Sequence, residues 1–291
     1  MEAEPGAPVP ATPPKTILLS FGGSAGLYPV LLSASFPLMK MAQQVAEKTQ
    51  CDIHFAGISG GCLAAVCLAL GIESHAVVEK LFGAIALRMK PHNLSQDSLP
   101  MSSLYGQMHT ALTELIGIEG YRKLNGRLHI GITVRDGWRA RHKVISHFHS
   151  THDAVECIVT SCHLFLLGVS IWRKFRGRNC CDGGWTASHV RLPGYRVVPI
   201  DWRDVKEYIR PKDWPVSLEM NKFHRLSVVG LQMVTQHQEK FRYMMEHDDI
   251  VQKNKHPEDD TPALDMGAWT VGAGVVSLAL VSFIAVYVFD C

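Results

Sequence analysis

The chain has 291 residues, enough for one large domain or two small ones, and 47% of them are apolar, so it can bury a sizeable core. Its 29 Lys+Arg against 27 Asp+Glu leave a net charge of +2, which supplies no overall field for nucleic acid. Its 8 cysteines follow neither a disulfide framework nor C-x-x-C zinc spacing, so free buried thiols in a reducing compartment are expected.

Residues 1–14, MEAEPGAPVPATPP, are acidic and proline-rich and lack the basic and apolar regions of a signal peptide; they predict a disordered arm. Thr16–Phe21 predicts a short buried strand that runs into glycines. Leu27–Lys48 predicts a helix with Pro29 in its first turn and a kink at Pro37. Asp52–Gly57 predicts a second strand, and Gly60–Leu70 a compact apolar helix stopped by Gly71. Glu73–Lys90 continues helically to Pro91. Leu128, Ile130, Ile132 and Val134 alternate with His129, Gly131 and Thr133, the period of a strand. Asp136-Gly137 marks a turn, and Lys143–Phe148 a returning strand. Asp153–Leu167 predicts an apolar helix and Tyr195–Ile200 another strand. Phe223–Val251 reads as one long helix, whose stripe of Phe223, Leu226, Val229, Val234 and Phe241 suits either packing on the domain or a membrane surface. Strands alternating with helices imply a layered α/β domain over residues 15–251, without internal repeats.

Three short motifs stand out. Gly57-Ile58-Ser59-Gly60-Gly61 matches G-x-S-x-G between a predicted strand and a predicted helix. A tight strand-to-helix turn lifts a serine oxygen clear of the backbone, and it needs small neighbours such as Gly57 and Gly61 because the chain nearly touches itself. The following helix N-terminus favours a developing oxyanion. Ser59 is therefore a candidate nucleophile, and it needs a base. Gly22-Gly23-Ser24-Ala25-Gly26 follows the first strand and opens a helix. It lacks the Lys-Ser/Thr of a phosphate loop and the first glycine of a dinucleotide loop, which leaves an oxyanion hole or a plain tight loop. Asp182-Gly183-Gly184 follows the basic run Arg173–Arg178 and is either a turn or the site of a catalytic carboxylate.

In this order the three motifs resemble the patatin-like phospholipases, and most closely the animal-type branch that includes adipose triglyceride lipase and adiponutrin. Gly126-Arg127-Leu128 and Val144-Ile145-Ser146-His147-Phe148 extend the resemblance, which covers roughly residues 15–199. It implies a three-layer α/β/α domain, hydrolysis of glycerolipid acyl esters, and a Ser–Asp dyad without a catalytic histidine. On that resemblance Ser59 is the nucleophile, Asp182 the base within the Asp182-Gly183-Gly184 motif, and the amides around Gly22, Gly23, Ser24 and Gly26 the oxyanion donors. No cofactor or metal is implied. The sequence departs from the family pattern in having Ala25 where a basic residue is usual, no proline in Ser161-Cys162-His163-Leu164-Phe165, and Trp185-Thr186-Ala187-Ser188 after the aspartate motif. The missing prolines keep open a catalytically impaired lipid-binding or regulatory protein, and an acyltransferase, which would share the acyl-enzyme and differ only in the acceptor, is a further alternative.

The end of the chain differs in kind. Residues 252–265 are a polar linker, and Met266–Phe289 holds 24 positions without a charge. As a helix that is about 36 Å, enough to cross a bilayer core of about 30 Å, with Trp269 and Tyr287 near its two edges. A single-pass C-terminal membrane anchor with a cytosolic catalytic domain is expected. Ala268-x-x-x-Gly272 and Ala273-x-x-x-Ser277 offer small-residue faces for self-association, and Cys291 a site for S-acylation. His147, His149 and His152 cluster at the start of a loop and are not read as a metal site. Two basic-aromatic groups, Trp172–Arg178 and Arg135, Trp138, Arg139, Arg141 and Lys143, read either as solvated loop charge or as a patch for an anionic bilayer surface, and not as a nucleic-acid site, since neither extends into a long stripe.

Overall fold

The computed structural model describes residues 16–72, 101–164, 170–214 and 220–247. The predicted arm, the Glu73–Lys90 helix, residues 165–167, residues 248–251, the linker, the Met266–Phe289 span and Cys291 lie outside the described residues, and the helix expected over Asp153–Leu167 runs from Thr151 to Ser161. No helix among the described residues is long and apolar enough to cross a membrane.

The domain is built on a seven-stranded mixed sheet. Strands β1 (Thr16–Phe21), β2 (Asp52–Ile58) and β3 (Leu128–Asp136) are followed by β4 (Arg139–Ile145), β5 (Arg173–Phe175), β6 (Arg178–Asp182) and β7 (Arg196–Ile200). β7, β1, β2 and β3 run parallel, with Phe21 beside Gly57 and Ile58 beside Gly131. β4 lies antiparallel along one edge of β3 from Ile130 to Asp136. The other edge of β3 is shared: β2 occupies it as far as Gly131, and β6 takes over at Ile132.

The described α-helices are α1 (Tyr28–Thr49), α2 (Gly61–Ala69), α3 (Met101–Ile116), α4 (Tyr121–Leu124), α5 (Thr151–Ser161), α6 (Met220–Gln236) and α7 (Gln238–Glu246), joined by short 3-10 turns at Ala25–Leu27, Gly183–Trp185, Trp202–Tyr208 and Pro211–Asp213. α1 stays one helix through Pro37. α2 is apolar nearly all round and buried nearly all round, as that pattern requires. The main core joins Ile17, Leu19, Phe21, Phe55, Ile130 and Ile132 of the sheet to the buried faces of these helices.

The alternate residues Leu18, Ala56, Ile58 and Val197 face the other way, and Val190, Ala187, Leu192 and Tyr195 cover them. Ser20 Oγ pins this cover by donating to Val190 O at 2.9 Å. Among the described residues the helices thus sit on one face of the sheet and an irregular segment on the other. The expected α/β domain with a central sheet is present, and the part of the second face that the described residues cover is closed by Ala187, Val190, Leu192 and Tyr195.

Other expectations shift in detail. The returning strand begins at Arg139 rather than Lys143 and ends at Ile145, because Arg139, Arg141 and Lys143 form its exposed face and Ala140 and Val144 its inner one. The long C-terminal helix breaks at His237 into α6 and α7. Its stripe, Phe223, Leu226, Val229, Val234 and Phe241, is buried against the domain, which decides for packing over a membrane surface.

Candidate active site

β3 acts as a rail on which two strand ends meet. β2 runs parallel to it and stops at Ile58, opposite Gly131, so Ser59 is the next residue. β6 runs antiparallel and stops at Asp182, opposite Ile132. One rung of β-structure, about 3.3 Å, separates the two registers. Residues far apart in the chain are thereby brought head to head.

Ser59 sits in the turn from β2 to α2 with φ +52°. This left-handed backbone costs a non-glycine residue about 1 kcal/mol or more, strain that folded proteins keep mainly at functional positions. Its neighbours must be small. A Cβ on Gly57 would lie 2.5 Å from Cys62 Cα, and one on Gly61 would lie 2.4 Å from Gly22 O. Gly183 is equally confined, since its Cβ would fall 2.2 Å from Gly131 O. The elbow, the glycine loop and the aspartate turn are packed backbone to backbone.

Ser161 fixes the elbow from behind. Its Oγ accepts the Ser59 N–H at 2.9 Å and donates to Gly131 O at 2.7 Å. The side chain at the end of α5 thus links the turn to the rail. Nothing in the sequence singled it out for this task, because a serine in the last turn of a helix carries no signature of its own. Ser161→Ala leaves a buried donor and acceptor without partners and is expected to lower stability by about 1–3 kcal/mol in a denaturant titration. An unchanged midpoint would show the anchor to be redundant.

Asp182 is 3% exposed, and its Oδ1 accepts the Gly184 N–H at 2.7 Å. Its backbone is held on both sides: Asp182 N donates to His163 O at 3.2 Å, and Thr133 Oγ1 donates to Asp182 O at 2.7 Å. Burial pushes the carboxyl up to about 6, while hydrogen bonding from Ser59 and from Gly184 pulls it back. Oδ2 is buried and makes no hydrogen bond of good geometry, so the Ser59 contact is a loose one. Loose contacts of this kind are common between catalytic groups before substrate binds.

The loop Gly22–Gly26 lies against the elbow, and a Cβ on Gly23 would touch Ser59 Cβ at 3.7 Å. Its amides are not equivalent. Gly22 N donates to Ile200 O at 3.0 Å and Gly26 N to Trp214 O at 3.1 Å, so both are committed to the scaffold. Of the four residues expected to supply oxyanion donors, Gly22 and Gly26 thus have their amides bonded to the scaffold, which leaves the amides of Gly23 and Ser24 as the candidates. α2 begins at Gly61 and directs its positive end at the same place.

Among the described residues no histidine side chain hydrogen-bonds Ser59 or Asp182. His142 lies behind Gly131 and meets Thr186 Oγ1 at 3.2 Å; burial lowers its pKa to about 4 and keeps it neutral. His163 Nε2 meets Ser170 O at 2.7 Å.

No protein-family model matches the chain. Over 167 residues it is 26% identical to the 1-acylglycerol-3-phosphate O-acyltransferase Pnpla3 of Mus musculus, an alignment that takes in 57% of this chain and 38% of that protein's length. Among solved structures, ExoU in its heterodimeric complex with SpcU from Pseudomonas aeruginosa aligns with 79% of this chain and 52% of its own, at a TM-score of 0.38 and 13% identity. VipD from Legionella pneumophila aligns with 96% of this chain and 77% of its own, at a TM-score of 0.33 and 12% identity. A glycine loop, a serine elbow and an aspartate turn follow one another in this order and close on a single rail, and this arrangement, with the similarity to the mouse protein, supports a patatin-like chain.

Proposed function

We propose that the protein is a serine lipid acyl hydrolase. Ser59 attacks an ester carbonyl, Asp182 accepts its proton, and the amides of Gly23 and Ser24 hold the oxyanion. An acyl-enzyme forms and water releases the fatty acid. The observation that carries this reading is the left-handed Ser59 one rung from a buried carboxylate whose proton affinity is raised toward neutrality. Labelling of the purified protein by a fluorophosphonate probe, run beside lipase and phospholipase assays, tests it. Labelling without turnover of any lipid counts against the hydrolase.

One observation favours a second reading. The mouse relative bears the name of a 1-acylglycerol-3-phosphate O-acyltransferase. The same acyl-enzyme would then pass its acyl group to the hydroxyl of a lysophospholipid in place of water. Adding 1-acylglycerol-3-phosphate to the assay separates the two: formation of diacyl product in place of free fatty acid assigns the transferase.

The apolar span at residues 266–289 would hold the domain at a bilayer, and the β3–β4 hairpin would turn the site toward it. The hairpin tip at Asp136-Gly137 lies four residues beyond the Asp182 register, about 13 Å further along the rail. Trp138 at the tip is 74% exposed, and Arg135, Arg139 and Arg141 surround it. Arg135 also rests on the Trp172 ring at 5.8 Å.

The other basic group is less available. Arg173 bonds Glu156 at 2.7 Å, and Arg176 bonds Asp153 at 2.5 Å and His147 O at 2.7 Å, so these two arginines serve the fold. The docking test therefore belongs on the hairpin. Trp138→Ala with Arg139→Glu is expected to cut turnover on anionic vesicles roughly tenfold, since each surface cation is worth about 1 kcal/mol there. Turnover of a soluble short-chain ester should stay the same. Equal loss on both substrates would rule out docking by the hairpin.

A further inference from the structure

We propose that His109, His152 and Glu156 form a site for a divalent transition metal of the zinc class that clamps α3 to α5. His152 and Glu156 are four apart on α5 and share one face of it. His109 comes from α3, the helix packed alongside. One ligand atom from each of the three lies within 4.8 Å of the others. His109 Nε2 is 3.4 Å from Glu156 Oε1, and the His109 and His152 rings are 5.3 Å apart. Zinc bonds of about 2.0–2.1 Å in a tetrahedron put neighbouring ligand atoms roughly 3.4 Å apart, so a small rotation of the exposed His152 completes the set. Two imidazoles and one carboxylate select zinc, cobalt or nickel over magnesium or calcium.

The carboxylate is already aimed. Arg173 Nη2 donates to both Glu156 oxygens, at 2.9 and 2.7 Å. A carboxylate has about four lone-pair positions, so Oε1 can hold the guanidinium on one side and a metal on the other. Hydrogen-bonded carboxylates of this kind are usual behind metal ligands. The site is partly exposed, which gives a metal entry and leaves a fourth position to water.

The clamp has a consequence for the neighbouring fold. Tyr105 lies one turn before His109 on α3, and its hydroxyl accepts the Leu164 N–H at 2.8 Å. The same segment supplies His163 O, the acceptor of the Asp182 N–H. Tying α3 to α5 braces the wall from which Asp182 hangs. The inference does not depend on which reaction the site performs.

The test uses full-length protein stripped with EDTA. Cobalt(II) titration should give visible absorption typical of nitrogen and oxygen ligands, without sulfur-to-cobalt charge transfer, and zinc should raise the unfolding temperature. His109→Ala and His152→Ala should each weaken cobalt binding at least 10- to 100-fold and remove the zinc-induced rise. His149→Ala should change neither. A sulfur charge-transfer band would place the metal on cysteines, and undiminished affinity in His109→Ala, or no cobalt binding by the wild type, would equally overturn the site.

Discussion

Ser59→Ala is expected to abolish fluorophosphonate labelling, and Asp182→Asn to lower turnover by several orders of magnitude while the protein stays folded. Both follow from the proposed dyad: without the hydroxyl there is no nucleophile, and without the carboxylate nothing accepts its proton. Losses of this size accompany removal of a member of a catalytic triad. The pH dependence is equally specific. Asp182 works as a base only when ionised, and burial raises its carboxyl to about 6. kcat/KM should therefore climb with pH and reach half its plateau near pH 6.

Stability should move in the opposite direction. A carboxyl raised from 3.8 to about 6 binds its proton more tightly when folded, so its stabilising contribution is full below about pH 3.8 and is lost as the pH rises through about 6. A difference of that size is worth on the order of 3 kcal/mol. At pH 8 the ionised Asp182 strains the fold, and Asp182→Asn, which keeps an oxygen for the Gly184 amide, should unfold at the same temperature as the wild type or higher. An inactive Asp182→Asn that also unfolds early would make Asp182 a structural residue. A single histidine substitution with an equal loss of activity would replace the Ser–Asp assignment.

Gly61→Ala is expected to cost both folding yield and labelling, despite adding one methyl group. That methyl would stand 2.4 Å from Gly22 O and 2.5 Å from Phe21 O, which are backbone atoms fixed by the parallel sheet. No flexible side chain is present to yield. Either α2 moves away from the glycine loop, which separates Ser59 from the amides of Gly23 and Ser24, or the elbow fails to form. Expected is a loss above about 3 kcal/mol, at the upper end for single substitutions. Gly71→Ala is the matched control, since nothing lies within 4 Å of its added Cβ and only the left-handed backbone, φ +79°, is penalised. Equal effects of the two changes would show that backbone conformation, and not the contact between loop and elbow, governs this region.

The parts of this arrangement that could be read from sequence are those with a repeating physical signal. Ile17, Leu19 and Phe21 on one side and Leu18 and Ser20 on the other give β1, and the period-two run from Leu128 to Val134 gives β3. Ser59 was legible because glycine, serine and glycine sit where a strand turns into an apolar helix. β5 and β6 were not. Arg173–Phe175 and Arg178–Asp182 are short, charged and without alternation, and they become strands only through pairing with each other and with β3. The candidate base, Asp182, was thus picked out through family resemblance, while the strand that carries it went unseen. β4 was misplaced because three basic residues on its exposed face mask the alternation. The commitment of the Gly22 and Gly26 amides to Ile200 and Trp214 depends on contacts from far along the chain, which local sequence does not report.

The shared edge of β3 works as a ruler. The distance between Ser59 and Asp182 is set by which rung each strand stops on, and the length of chain between them does not enter. Loops and helices connecting the two are therefore free to grow or shrink among related chains without disturbing the chemistry. β3 has no such freedom. Removing a single residue between Gly131 and Thr133 would carry Asp182 one rung along and turn its side chain to the opposite face of the sheet, where the cover of Val190 and Leu192 awaits it. Natural variation in length should accordingly gather outside this strand, and a one-residue deletion inside it should abolish fluorophosphonate labelling with Ser59 and Asp182 still present.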